Sequence, residues 1–254
     1  MSLLKRLFGP KNTALPAAAA FDVPIAPDAP FFAVGDVHGC LPQMQSLLEQ
    51  MTAKDKTAPV VFVGDYIDRG ENSAGVLRAL FARRDDPNLI CLTGNHEEMM
   101  LGFIDQPTVK GERWLRYGGM QTLASFGIGG VNPSSKGEAL STAAAALKQA
   151  MGPDHIAWIR DLPIMWRSGN IVVVHAGADP ATPIAMQSAK TLSWGHRDFE
   201  TVPRQDDIWV LHGHTIVGEP FAQGGRIAID TGAYATGLLT AAYMTMNEAQ
   251  FIQN

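Results

Sequence analysis

A chain of 254 residues, 46% hydrophobic and 18% charged, can bury one large α/β core or two small ones. Its formal charge of −5 argues against a broad nucleic-acid-binding face, so no nucleic-acid partner is expected. Two cysteines, Cys40 and Cys91, cannot build a disulfide framework, and no run approaches the ~20 apolar residues of a membrane helix. The expectation is a cytoplasmic protein with reduced, buried thiols and no membrane span.

Residues 1–30 open on "MSLLKRLFGP", where Lys5 and Arg6 interrupt the leucines and Gly9-Pro10 closes the stretch. No continuous signal-peptide core results, although "LPAAAAF" offers the small residues of a cleavage site. The reading is a short amphipathic helix and an Ala/Pro-rich linker over 1–30, then one domain over 31–254. From Phe31 onward short apolar runs alternate with longer amphipathic segments, the α/β pattern. Strands are expected at Phe31–Val34, Val60–Val63, Leu89–Leu92, Ile171–Val174, Ile208–Leu211, Ile227–Ile229 and Leu238–Met246. Helical spacing covers Met44–Met51, Ser73–Arg84, Glu112–Phe126 and 138–150.

Five of the apolar runs lead into polar clusters: "AVGDVHG", "VFVGDYIDRG", "CLTGNHEE", "VVVHAG" and "WVLHGHT". Strands of an open sheet carry ligands at their C-terminal ends, so Asp36, His38, Asp65, Asn95, His175 and the histidines at 212 and 214 could converge. Carboxylates, imidazoles and an amide oxygen without sulfur suit Mn, Fe or Zn. Two ions roughly 3.5–4 Å apart need a shared ligand, and Asp65 is the natural candidate. Each piece alone has a plainer reading. A "GD" at a strand end is usually a turn, "GNHE" can be a helix N-terminus favoured by Glu97 and Glu98, and "VHAG" can be a core histidine. The ordered set carries the argument.

The motifs "GDVHG" (35–39), "GDYIDRG" (64–70), "GNHE" (94–97), "HAG" (175–177) and "GHT" (213–215) resemble those of the calcineurin-like metallophosphoesterase superfamily. The likeness is greatest to bacterial phosphoprotein phosphatases and extends over about residues 31–245. It implies a metallophosphoesterase β-sandwich flanked by helices, within the α/β class. By the same resemblance Asp36, His38 and Asp65 hold one ion, and Asp65, Asn95, His175 and His214 hold the other. Two divalent ions are implied, manganese foremost with iron or zinc as alternatives, and a bridging water or hydroxide is the nucleophile. Arg69 is similar to the family's phosphate-binding arginine, and His96, oriented by Asp68, to its general acid. A second phosphate-binding arginine is expected at Arg197, after Trp194, although a solvated loop arginine is an open alternative there. Tyr234 falls where some relatives have an active-site tyrosine. Glu97 is expected to support the site without binding metal, and His212 to stand behind His214.

Residues 105–165 carry no metal motif and are read as a helical cap-like insertion, with Trp114, Arg116 and Tyr117 either lining a cleft or packing inside. The functional expectation is two-metal hydrolysis of phosphate monoesters, of serine/threonine phosphatase type, on a phosphorylated protein or small phosphoester. The first alternative is symmetrical hydrolysis of a dinucleoside polyphosphate such as diadenosine tetraphosphate. An alternative of another class is a non-catalytic metal-binding interaction protein.

Overall fold

The computed structural model describes residues 21–254, so the helix read near the N-terminus lies outside the described residues. Strand β1 (Phe31–Val34) is buried on both faces, which explains its uninterrupted apolar run. Phe32 and Val34 point into a helical layer, whereas Phe31 and Ala33 point into a second sheet. The same division separates Phe62 from Val61 on β2 (Val60–Phe62).

Parallel β1, β2 and β3 (Leu89–Cys91) are joined by helices α1 (Leu41–Lys54) and α2 (Ser73–Phe81). Helix α1 starts with proline in its first turn, where the missing amide donor costs nothing. It buries Met44, Leu47 and Met51, spaced to form one face. After β3 come α3 (Asn95–Asp105), α4 (Pro107–Trp114), one π turn (Leu115–Gly119), α5 (Met120–Ser125), α6 (Glu138–Met151) and α7 (Pro153–Arg160). These helices pack into the core formed with the outer face of the first sheet.

The second sheet contains β4 (Met165–Ser168), β5 (Ile171–Val174), β6 (Trp209–His212), β7 (Phe221–Gln223) and β8 (Arg226–Ala228), with α8 (Ala189–Trp194) between β5 and β6. Its spatial order is β4-β5-β6-β8-β7, with β5, β6 and β8 parallel and the two edges antiparallel. After the short α9 (Ala233–Thr236), the chain returns as β9 (Thr240–Thr245) and β10 (Glu248–Gln253), giving the first sheet the order β10-β9-β1-β2-β3. Val61, Val63, Val173, Leu211 and Ile227 share the core between the two sheets. The fold is therefore a β-sandwich flanked by helices.

Three expectations need adjustment. The run 238–246 is the first arm of a hairpin, because Asn247 takes a left-handed φ of 64° and turns the chain into β10. Strands β4, β7 and β10 have exposed or half-buried positions, so they carry no continuous apolar signal. Residues 21–30, read as the end of a linker, pack on the sandwich: Ile25 enters its core, and the Trp209 indole donates to the Val23 carbonyl at 2.9 Å. Both cysteines are free and buried. No helix among the described residues is long and apolar enough to cross a membrane.

Candidate active site

The parallel strands end at one edge, and there the backbone takes conformations that L-residues normally avoid. Of the seven non-glycine residues with positive φ among those described, five belong to the site: His38 (43°), Asp65 (53°), Asp68 (71°), Arg69 (65°) and His214 (65°). Each such conformation costs on the order of 1–3 kcal/mol and persists only where surrounding bonds enforce it. Glu97, fully buried at the start of α3, supplies several of those bonds. Its Oε2 accepts from the amides of Asp65 (2.9 Å) and Gly94 (3.0 Å), and its Oε1 accepts from that of Tyr66 (2.9 Å). Both oxygens are thus committed to backbone, as expected of a supporting residue. Two glycines complete the cradle: a Cβ on Gly94 would strike Asp65 Oδ1, and one on Gly213 would strike Asp36 Oδ1.

The side chains converge around Asp65. Its Oδ2 lies 3.6 Å from His38 Nε2 and 3.8 Å from His96 Nε2, and its Oδ1 lies 3.4 Å from His175 Nε2. Asn95 Oδ1 meets His175 Nε2 at 2.8 Å and His214 Nδ1 at 2.9 Å. The carboxylate of Asp36 accepts from the His214 amide at 3.1 Å. Two overlapping groups with metal-binding spacing result, His38–Asp65–His96 and Asp65–His175–His214.

Three observations fit this set to divalent cations. His38 Nδ1 donates to the Ile67 carbonyl at 2.6 Å, which leaves Nε2 buried and without a hydrogen-bond partner among the described residues. A buried polar atom left in this way needs a partner. Burial, together with the carboxylates of Asp230 and Asp65, holds Asp36 well above the usual carboxylate range, a shift that a cation beside it would reverse. Burial also lowers His38 to about 3 and His214 to about 4, keeping these two imidazoles neutral as ligation requires. At His175 burial is outweighed, chiefly by the Asp65 carboxylate, and the net shift is upward.

Beside the cluster, His96 Nδ1 donates to Asp68 Oδ2 at 2.6 Å, and Arg69 Nη2 reaches His96 Nε2 at 3.3 Å. Burial depresses the His96 imidazole, but Asp65 and Asp68 outweigh it and the net shift is upward. A cavity of about 430 Å³ opens next to this pair, lined by Arg69, Arg116, Tyr117, Gly118, Gln121 and Tyr234. The Arg69 guanidinium lies 4.9 Å from the Tyr234 ring centroid, and the His38 ring lies 5.4 Å from the same ring.

The expected residues divide plainly. Asp36, His38, Asp65, Asp68, Arg69, Asn95, His96, His175 and His214 are brought together. Arg197 is not: its side chain is 87% exposed, with Nε 3.5 Å from Asp198, and it does not line the cavity. The loop after α8 carries it into solvent, and Arg116 stands at the cavity beside Arg69. His212 turns away from the cluster, with Nδ1 2.9 Å from the Gly213 carbonyl and its ring 4.8 Å from that of Phe199. The two histidines diverge because β6 ends at His212 and His214 takes the left-handed conformation. One buried acid was missed. Asp230 follows the apolar run of β8 in "IAIDTG", the same signal of a polar residue after a buried strand that marked the other five.

Residues 29–218 match the calcineurin-like phosphoesterase family. The chain belongs to that family. This metallophosphoesterase is 27% identical over 263 residues to the symmetrical bis(5'-nucleosyl)-tetraphosphatase of Ralstonia nicotianae, covering 87% of this chain and 91% of that one. It is 28% identical over 229 residues to the asymmetrical bis(5'-nucleosyl)-tetraphosphatase PrpE of Bacillus subtilis, covering 82% and 87%. Its fold is shared with a crystal structure described as a candidate diadenosine tetraphosphatase, with a TM-score of 0.62, 20% identity and 89% and 94% coverage. It is also shared with a cold-active protein-tyrosine phosphatase of a Shewanella species, with a TM-score of 0.58, 16% identity and 91% and 83% coverage. Metallophosphoesterase hydrolysis of phosphoesters is thus the general activity.

Proposed function

We propose that the protein hydrolyses dinucleoside polyphosphates, a substrate class named for the Ralstonia and Bacillus relatives. The observation that carries this reading is the composition of the cavity beside the cluster. Arg69 offers a planar donor fork to the attacked phosphoryl group. Arg116, whose Nη2 also reaches Glu112 Oε1 at 2.6 Å, offers one to phosphates beyond it, and the half-exposed rings of Tyr117 and Tyr234 offer faces to a nucleobase. Its volume of about 430 Å³ suits a nucleotide-sized group.

Asp36, His38 and Asp65 would hold one divalent ion, and Asp65, Asn95, His175 and His214 the other. Bound there, the ions would supply Lewis-acid polarisation of the phosphoryl group and a water of lowered pKa. Arg69 binds the phosphoryl oxygens. Asp68 fixes the His96 ring through Nδ1, so that Nε2 faces the cluster. Arg69 Nη2 donates to that nitrogen, and once the guanidinium turns to the phosphoryl oxygens Nε2 is free to hold the proton for the leaving oxygen. Glu97 keeps the Asp65 turn in its strained conformation.

The Asp68–His96 pair also favours a second reading, phosphoserine or phosphothreonine hydrolysis. An alkoxide leaving group needs a proton donor, whereas a nucleoside diphosphate leaves readily without one. One panel on manganese-loaded protein separates the two: diadenosine tetraphosphate, phosphoserine, phosphothreonine and phosphotyrosine peptides, a cyclic nucleotide and an aryl phosphate. The expected result is the highest kcat/KM on diadenosine tetraphosphate. A higher value on the phosphopeptides would transfer the assignment to the second reading, and no turnover of any substrate would favour a binding protein.

A further inference from the structure

We propose that Trp114 and Thr122, on the helical insertion that carries no metal motif, are positioning residues for the proton donor His96, acting through Asp68. The proposal rests on the reading of His96 as general acid. Asp68 is fully buried and receives three side-chain donors: His96 Nδ1 (2.6 Å) and Trp114 Nε1 (2.9 Å) on Oδ2, and Thr122 Oγ1 (2.6 Å) on Oδ1. A single bond to His96 leaves a carboxylate free to swing about its side-chain torsions. The two bonds from the insertion fix both oxygens, and with them the plane of the imidazole. Thr122 also accepts from the Asp68 amide at 2.9 Å, so one hydroxyl holds both the side chain and the left-handed backbone of the same residue.

The insertion is shaped for this contact. Trp114 ends α4 fully buried against Phe103, at 4.8 Å between ring centroids. Gly118 takes a φ of 110° inside the π turn, and its carbonyl accepts from the Arg69 amide at 3.4 Å. A Cβ there would lie 2.6 Å from Arg69 N, and one on Gly119 would lie 2.5 Å from the Trp114 ring. The two glycines therefore let the π turn close onto the Asp68–Arg69 turn while the indole N–H stays aimed at Asp68. A buried indole N–H usually finds an acceptor, and here that acceptor is the carboxylate that orients His96.

The test compares Trp114→Phe, Thr122→Val and Thr122→Ser with His96→Asn, on a phosphoserine peptide and on an aryl phosphate with a good leaving group. Hydrogen bonds to a charged group set the scale, so Trp114→Phe and Thr122→Val should lose about ten- to a hundredfold on phosphoserine. On the aryl phosphate the loss should stay within a few-fold, because that leaving group needs little protonation. Thr122→Ser, which keeps the hydroxyl, should recover most of the phosphoserine rate. In the His96→Asn background neither change should add a further loss, since the donor they orient is gone.

Equal losses on both substrates, or losses that add to that of His96→Asn, would overturn the proposal while leaving His96 in place. If His96→Asn itself fails to distinguish the substrates, the general-acid reading falls and the proposal falls with it. A second readout does not depend on turnover. In metal-free protein the His96 Nδ1 proton, assigned by its absence in His96→Asn, should give a downfield proton resonance that moves in Thr122→Val and returns in Thr122→Ser. A resonance unmoved by Thr122→Val also overturns the proposal, even if Trp114→Phe does not fold.

Discussion

Replacing Asp65 by asparagine probes the one side chain that both halves of the cluster share. Its carboxylate lies 3.6 Å from His38 Nε2 on one side and 3.4 Å from His175 Nε2 on the other. Asparagine keeps the volume and an Oδ1 that can still accept from the His96 amide, a bond of 3.0 Å, so the fold should survive and the charge is what disappears. A ligand at a hundred times its Kd stabilises the native state by about 2.7 kcal/mol, so two filled sites contribute about 5.4 kcal/mol. A domain of this size class shifts in Tm by about 2–4 °C per kcal/mol, which sets a manganese-induced rise of roughly 10–20 °C in the unmutated protein. In Asp65→Asn the rise should shrink to a few degrees at most, with turnover lost. Calorimetry of each protein against its own metal-free baseline reads the shift, and elemental analysis counts the ions. An Asp65→Asn protein that keeps two ions, the full shift and its turnover would refute the bridging role and with it the present view of the site.

Three other changes extend the test. His96→Asn should lose about 10²–10⁴-fold in kcat on phosphoserine, the usual scale for a general acid. It should lose far less on diadenosine tetraphosphate, and equal losses would reassign His96 to positioning or metal support. His214→Ala should drop metal content toward one ion per chain and abolish activity, whereas His212→Ala, on the far side of the strand end, should keep two ions with a partial loss of rate. The reverse ranking by elemental analysis would overturn the ligand assignment. Arg116→Ala should raise KM for diadenosine tetraphosphate about tenfold, the low end for a charged hydrogen bond because this side chain is 62% exposed, and leave KM for an aryl phosphate nearly unchanged. Steady-state kinetics on the two substrates checks it; equal KM changes would remove Arg116 from the substrate pocket.

The cluster could be read in the sequence because its signal is local. Asp36, Asp65, Asn95 and His175 each follow a buried strand within a few residues, and a buried strand is legible as an apolar run. Asp230 obeys the same rule after β8 and could have been found by applying it once more. Arg197 was misplaced for the opposite reason. It sits on a loop beyond α8, where no apolar pattern fixes direction, and only the folded chain shows it turned into solvent. His212 and His214 show a subtler limit: alternation predicts a common face only while the strand continues, and β6 stops at the first of them. The edge strands β4, β7 and β10 escaped because half-exposed strands carry a diluted period-2 signal.

The insertion was hardest to read because its contribution is non-local. Trp114 and Thr122 lie 46 and 54 residues from Asp68, and neither belongs to a pattern that marks it as more than core. Trp114 satisfies every rule for a packed helix residue, being apolar, fully buried and stacked near Phe103. What departs from packing is the placement of one nitrogen and one hydroxyl on a buried carboxylate. Those atoms meet Asp68 where Gly118 takes a positive φ between α4 and α5 and Gly119, itself helical, leaves room for the indole. Alanines at 118 and 119 would be better by propensity, since each glycine costs about 1 kcal/mol relative to alanine in a helix interior. The local loss is offset by closure onto the Asp68–Arg69 turn, where two left-handed residues in succession must be held from both sides. The site thus depends on two layers of support: Glu97 beneath the Asp65 turn, and the insertion above the Asp68 turn. Strand ends announce the first layer in the sequence, while the second is visible only once the chain has folded over it.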